Sequence, residues 1–317
     1  MLAALPIATR RIDPTRAAVI GLLGLVIVTG FLVSERFGTP KNFTNVLEQA
    51  AALGFVSLGQ TLVVLAGGID LSIGALVSAL TVMIALLCQA NPDLAPLVIL
   101  LALLTGAGVG VFNAGVTLAL KVHPLIVTIG TATLLNGLTL MVTRQPAGSV
   151  PVWLEEFAFG RILGLPIAGL AMIAAFALVG LWLARHPQGR RLYAVGGSPE
   201  AARLTGIPVG RMTVLPYAAS GLFAAMAAIY YVARTGTGDP LVGEPLTLAS
   251  ITPVVVGGTL LGGGRGGVLG TLLGVFLISF LNNVLNYMNV STFLQWVVQG
   301  MIIIAAVSFQ ARKGGRP

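Results

Sequence analysis

RHPQGRRLYAVGGSPEAARLTGIPVGRM, residues Arg185 to Met212, is the longest polar interruption in a chain that is otherwise almost continuously apolar. It carries Arg185, Arg190, Arg191, Arg203 and Arg211 against a single acid, Glu200. Loops between membrane spans that are rich in Arg and Lys stay on the cytoplasmic side. Inside this loop lies a short element with its own start and stop signals. Ser198 is suited to cap a helix through a backbone N–H, and Pro199 occupies the first helical position, where the missing donor is no loss. Glu200 sits in the first turn, where the helix dipole favours an anion. Gly206 supplies a left-handed stop, with Pro208 just beyond it. A helix of under two turns does not persist in water alone, so it must lean on the membrane domain or on a partner.

Working outward, the whole chain of 317 residues is 56% hydrophobic and 9% charged. No soluble core absorbs that much apolar sequence, so the fold class is all-α and polytopic in the membrane. The apolar runs are continuous rather than alternating, which excludes a membrane β-barrel. The net charge of +8 sits mostly in loops and tails, a topology signal rather than a nucleic-acid footprint. Cys88 is the single cysteine and lies in an apolar run, so no disulfide framework is expected. His123 and His186 show no metal-ligand spacing, and no cofactor is expected.

Residues 1–16 read as a cytoplasmic tail and residues 17–309 as the transmembrane domain, with a second cytoplasmic tail at 310–317. Ala17 to Val33 is read as a retained first helix. The further spans are Phe43 to Ala66, Leu71 to Gln89, Leu94 to Ala119, Pro124 to Val142, Pro166 to Ala184, Thr213 to Ala233, Leu246 to Leu261, Val268 to Tyr287 and Thr292 to Phe309. That predicts about ten crossings of ~20 residues each. An even count puts both termini in the cytoplasm. The basic residues then divide as 13 inside and 5 outside, accounting for all 18. The longest outward loop, Arg144 to Leu165, holds Trp153, Glu155, Glu156 and Phe157. It reads either as an interfacial helix with aromatics at headgroup level or as a docking surface for an external partner.

No catalytic apparatus is visible. The GGGRGG run at Gly262 to Gly267 lacks the lysine and hydroxyl of a phosphate-binding loop. It reads instead as a tight cytoplasmic turn that lets helices approach closely. Asp70, in LAGGIDLSIGAL, has two readings. An acid at membrane depth is usually functional, and an Asp after a Gly-Gly helix stop also serves as a cap through first-turn amides. Asn113, Asn136, Asn282, Asn283, Asn286, Gln295 and Gln299 recur within apolar spans. Such amides suit a pathway for a neutral, hydroxyl-rich solute, and they equally suit interhelical glue.

Three stretches together carry a family resemblance: GGIDLSIGAL at Gly67 to Leu76, GRRLYAVGGSPEAARLTGI at Gly189 to Ile207, and VVVGGTLLGGGRGGVLGTLLGVF at Val254 to Phe276. The chain resembles the membrane subunit of monosaccharide ABC importers, from about Phe43 to Val307. The resemblance implies a type II importer fold, a second permease copy or paralogue, cytoplasmic ABC ATPase subunits and a periplasmic sugar-binding protein of ribose, galactose or xylose type. Membrane lipid is the surrounding solvent, and nucleic acid is not an expected partner. It also implies that Glu200, Ala201, Ala202 and Gly206 match the EAA-x3-G pattern of a coupling helix in the loop 185–212. Ser198 caps that element; Ala201, Ala202 and Leu204 are the expected insertion residues, and Glu200 and Arg203 the rim. Within the same superfamily, permeases for nucleosides or branched-chain amino acids are the nearer alternative. A stand-alone secondary transporter or channel is the more distant one, since it calls for intramembrane ionisable residues and only Asp70 qualifies.

Overall fold

The computed structural model describes residues 14–314. Residues 1–13 and 315–317, and with them Arg10, Arg11 and Arg316 of the expected basic tails, lie outside the described residues. The chain is helical almost throughout. The long helices are α1 (Pro14–Val33), α2 (Pro40–Leu65), α3 (Ile73–Ala90), α4 (Ala95–Leu120) and α5 (Pro124–Val142). A short α6 (Val152–Phe159) and a two-residue hairpin, β1 (Arg161–Ile162) with β2 (Leu165–Pro166), precede α7 (Ile167–Arg185). Then come the polar pair α8 (Pro187–Gly197) and α9 (Pro199–Leu204), and the long α10 (Val209–Thr235). Two short pieces, α11 (Leu246–Ala249) and α12 (Ile251–Val256), lead to α13 (Val268–Tyr287) and α14 (Thr292–Gly314), which continues past the expected end at Phe309.

Among the described residues, seven helices are long and apolar enough to cross a membrane: α2, α3, α4 (counted from Pro92), α5, α7, α10 and α13. Three more apolar segments, Ala17–Val33, Leu246–Val256 and Thr292–Ser308, fall short of that length. The shortfall at Leu246–Val256 is a real difference from the expected span. At 1.5 Å per residue it covers ~16 Å, about half a hydrocarbon core. It stops because Gly257 lies against the backbone of Gly270 and Gly258 turns left-handed at φ +87°.

The core is built around α2, 83% of whose apolar window is buried, against 28% for α4 and 22% for α5. Packing of α10 across α2, α3 and α4 is close because small residues meet there. Gly106 and Gly221 each face the other's carbonyl, and a Cβ on Gly59 would come within 2.8 Å of the Ser220 Cα. Without water to expel, helices in a membrane associate through such contacts.

Two stretches of irregular backbone interrupt the helices, which is tolerated at membrane depth only where protein or water satisfies the polar groups. One is residues 67–72 between α2 and α3. The other is residues 237–245, which descends beside α3: Gly238 lies against Thr81 and Val82, and the Gly243 amide donates to Ser78 Oγ at 2.9 Å. Thr81 Oγ1 donates to the Asp239 carbonyl at 3.1 Å, so this segment is held to α3 at both Asp239 and Gly243.

In the loop between α5 and α7, α6 buries Leu154 and Ala158 while Trp153 and Phe157 stay exposed, the pattern of a helix lying at an interface.

Candidate functional site: a polar cavity, a buried polar joint and the loop 185–212

A cavity of about 190 Å³ opens between α2, α10, α11, α13 and α14. Its polar lining comes from Gln49, Tyr231, Ser279, Asn282, Trp296 and Gln299, set among Val46, Leu53, Leu246, Ala249 and Ile278. Gln299 Nε2 donates to Asn282 Oδ1 at 3.1 Å, tying α14 to α13 across the cavity wall. Uncharged amides, a hydroxyl and an aromatic face can bind hydroxyls of a neutral solute, and no carboxylate or ammonium group lines the space.

The remaining amides sort differently. Asn283 and Asn42 exchange bonds at 3.0 Å each, and Tyr287 Oη donates to Asn42 Oδ1 at 3.2 Å. Gln295 Nε2 donates to Asn286 Oδ1 at 2.7 Å and to the Val290 carbonyl at 3.1 Å, closing the α13–α14 turn. These four residues are interhelical ties. Asn136 lies on the exposed side of α5 and makes no side-chain hydrogen bond among the described residues.

Asn113 belongs to a third group, centred on Asp70. That carboxylate is 1% exposed. Its Oδ1 accepts from the Ser72 amide at 3.0 Å and from Ser72 Oγ at 2.6 Å, and its Oδ2 accepts from Ser220 Oγ at 2.9 Å. The chain of bonds continues from Asn113 Nδ2 to Ser72 Oγ at 2.9 Å and from Thr131 Oγ1 to Asn113 Oδ1 at 2.6 Å. Nearby, the Ile69 carbonyl accepts from Tyr217 Oη and Thr128 Oγ1, both at 3.3 Å. The cap reading of Asp70 is therefore corrected. Ser72 is the N-cap residue of α3, and Asp70 bonds two residues ahead and across to α10 rather than to the first-turn amides of α3. The result is a joint in which the interior break at 67–72 is held to α4, α5 and α10.

In the loop 185–212 the structure has the cap and the stop that the residues predict. Ser198 Oγ accepts from the Ala201 amide at 3.2 Å, and Gly206 takes φ +78° with the Ile207 amide bonding back to the Ala202 carbonyl at 3.0 Å. The outward face of α9 is another matter. Ala202, expected to insert into a partner, is buried against Val195 of α8 and Met212 of α10. Its small size lets α9 sit tightly on its own chain. Ser198, Glu200, Ala201, Arg203 and Gly206 are exposed, and Leu204 is 86% exposed. The support for this short helix is thus the membrane domain itself. That seat extends inward: Gly263 of the Gly-rich turn lies against the Gly196 carbonyl and the Gly67 Cα, and Tyr193 Oη donates to the Gly266 carbonyl at 3.1 Å. Three breaks, at the ends of α2 and α8 and in the turn before α13, meet at one point.

The chain is 38% identical over 297 residues to a ribose import permease protein of Bacillus subtilis, covering 93% of this chain and 92% of that one. It is 35% identical over 308 residues to the ribose import permease protein of Escherichia coli K12, covering 93% of both. An autoinducer 2 import system permease protein of Escherichia coli O9:H4 is 33% identical over 262 residues, covering 80% of this chain and 79% of that one. No solved structure matches. A family profile described as "Branched-chain amino acid transport system / permease component" matches residues 42–307, and the chain belongs to that family of multi-pass ABC transporter permeases, which are not themselves enzymes.

Proposed function

We propose that this chain imports a neutral, polyhydroxylated solute, with a ribose-type sugar as first candidate, handed over by an extracytoplasmic binding protein and driven by a separate ATPase. The observation that carries the substrate class is the outer cavity, lined by Gln49, Ser279, Asn282 and Gln299 and by no charged group. The ribose import permeases, matched over nine-tenths of their length, supply the sugar. In this reading the three short apolar segments complete the seven long helices to ten crossings with both termini cytoplasmic. The eighth crossing combines the turn-rich stretch 237–245 with the half-length α11 and α12.

The ATPase would grip α9 by its exposed residues, Leu204 and Ala201 entering a cleft and Glu200 and Arg203 forming the rim. Because α8 abuts Gly67 and Gly263, displacement of α8 and α9 pushes directly on the start of the 67–72 break and on the turn that joins α12 to α13. Both breaks border the helices that form the cavity. Rocking them opens one end of the pathway and closes the other. A second permease copy would cover outward helices such as α5, where Thr133, Asn136 and their neighbours are exposed.

The test is reconstitution of the chain with its ATPase and binding protein in vesicles. ATP-driven uptake of ribose, compared with leucine, a nucleoside and autoinducer 2, should favour ribose; a preference for leucine would overturn the substrate class.

A further inference from the structure

Helix α2 buries two polar side chains that the cavity does not account for. Ser57 Oγ and both ends of the Gln60 amide are fully buried, and none of them has a hydrogen-bond partner among the described residues. Buried side-chain polar atoms in folded proteins nearly always have a partner, and each exception needs a reason. Interhelical glue is not that reason, since glue must be bonded. The neighbouring Thr61 shows what glue looks like: its hydroxyl meets the Ser57 carbonyl at 2.6 Å and Thr271 Oγ1 of α13 at 2.8 Å.

Helix geometry gives the orphan groups a direction. Gln49 and Leu53 line the outer cavity. Ser57 and Gln60 continue that row at steps of four and three residues, so all four lie on one stripe of α2. Gln60 stands two turns, ~10 Å, further toward the cytoplasmic end than Leu53. The opposite side faces elsewhere: Leu58 and Leu62 are buried in the apolar core, and Gly59 meets α10 at Ser220. Leu53 closes the cavity floor one turn above Ser57.

We propose that Ser57 and Gln60 form a second, inner binding station for the transported solute, below the outer cavity. Their donors and acceptors are held free for the hydroxyls of a neutral polyol and find partners only when the solute passes Leu53. A primary amide donates and accepts at once, as does a hydroxyl, which is the pairing a vicinal diol requires. The inference rests on the import reading above.

The experiment uses the full transporter, with binding protein and ATPase, in a Cys88→Ser background. Wild-type vesicles establish whether ribose is carried at all, and failure there counts against the import reading alone. With wild-type uptake in hand, Gln60→Leu should lower ribose uptake at least tenfold while the ATPase still co-purifies, and Ser57→Ala about threefold. Uptake by Gln60→Leu within twofold of wild type overturns the proposal. Should Gln60→Leu fail to assemble, Gln60→Cys decides. It should react with a small charged methanethiosulfonate reagent at least tenfold faster than Leu62→Cys, on the opposite side of α2, in either the nucleotide-free or the vanadate-trapped state. Reactivity equal to that of Leu62→Cys in both states overturns it.

Discussion

The Gly264 amide donates to the Leu65 carbonyl at 3.1 Å, so the Gly-rich turn before α13 is hydrogen-bonded to the last residue of α2. Gly196, at the end of α8, is wedged into the same junction. A Cβ there would overlap the Leu65 carbonyl and lie 2.6 Å from the Gly264 nitrogen. Helix α8 thus bears on the end of α2 and on the turn before α13 through close backbone contact.

Enlarging that wedge is the first prediction. Gly196→Val should separate α8 from α2 at an overpacking cost of roughly 1–3 kcal/mol. ATP-driven uptake should fall at least fivefold while the ATPase still binds, because the exposed face of α9 is unchanged. Gly197→Ala, whose added Cβ meets nothing within 4 Å, is the control and should transport normally. Equal uptake by both variants would remove the junction from the mechanism.

The second prediction concerns the buried joint. Asp70→Ala strands the Ser72 amide and the Ser220 hydroxyl, each at about 1–3 kcal/mol. Asp70→Asn keeps an acceptor for Ser72 and turns a donor toward Ser220, whose hydroxyl can accept, so its loss should stay under ~1 kcal/mol. Thermal unfolding of the purified protein in detergent separates the two. Identical midpoints would mean that the hydrogen bonds of Asp70 contribute little.

Orientation is tested by labelling. With Cys88 replaced, a cysteine at the exposed Ser149 should react with an impermeant reagent from outside intact cells, and one at the exposed Ser198 only after the membrane is opened. Labelling of position 198 from outside would invert the topology.

What the sequence discloses here is local. The Ser198 cap and the Gly206 stop are set by groups a few residues apart, so residue type and spacing suffice to read them. The burial of Ala202 depends on Met212 of another helix, and the second oxygen of Asp70 finds Ser220, 150 residues away; neither pairing leaves a periodic trace. The early end of α12 is hidden because Leu260 and Leu261 follow Gly257 and Gly258 and prolong the apolar run. Gln60 is no easier to read: it shares its span with Asn45 and Gln49, and residue type alone does not show which of these amides the fold leaves unbonded.

The central claim is that an ATPase moves this chain through the exposed face of α9. Leu204, 86% exposed on that helix, is the residue to change. Leu204→Asp places a charge where an apolar contact is expected and touches nothing inside the chain. The measurement is co-purification with the ATPase together with ATP-driven ribose uptake in vesicles, variant against wild type. The account predicts that both fall at least tenfold while the permease inserts and unfolds as the wild type does. Full ATPase binding and full uptake by Leu204→Asp would contradict it.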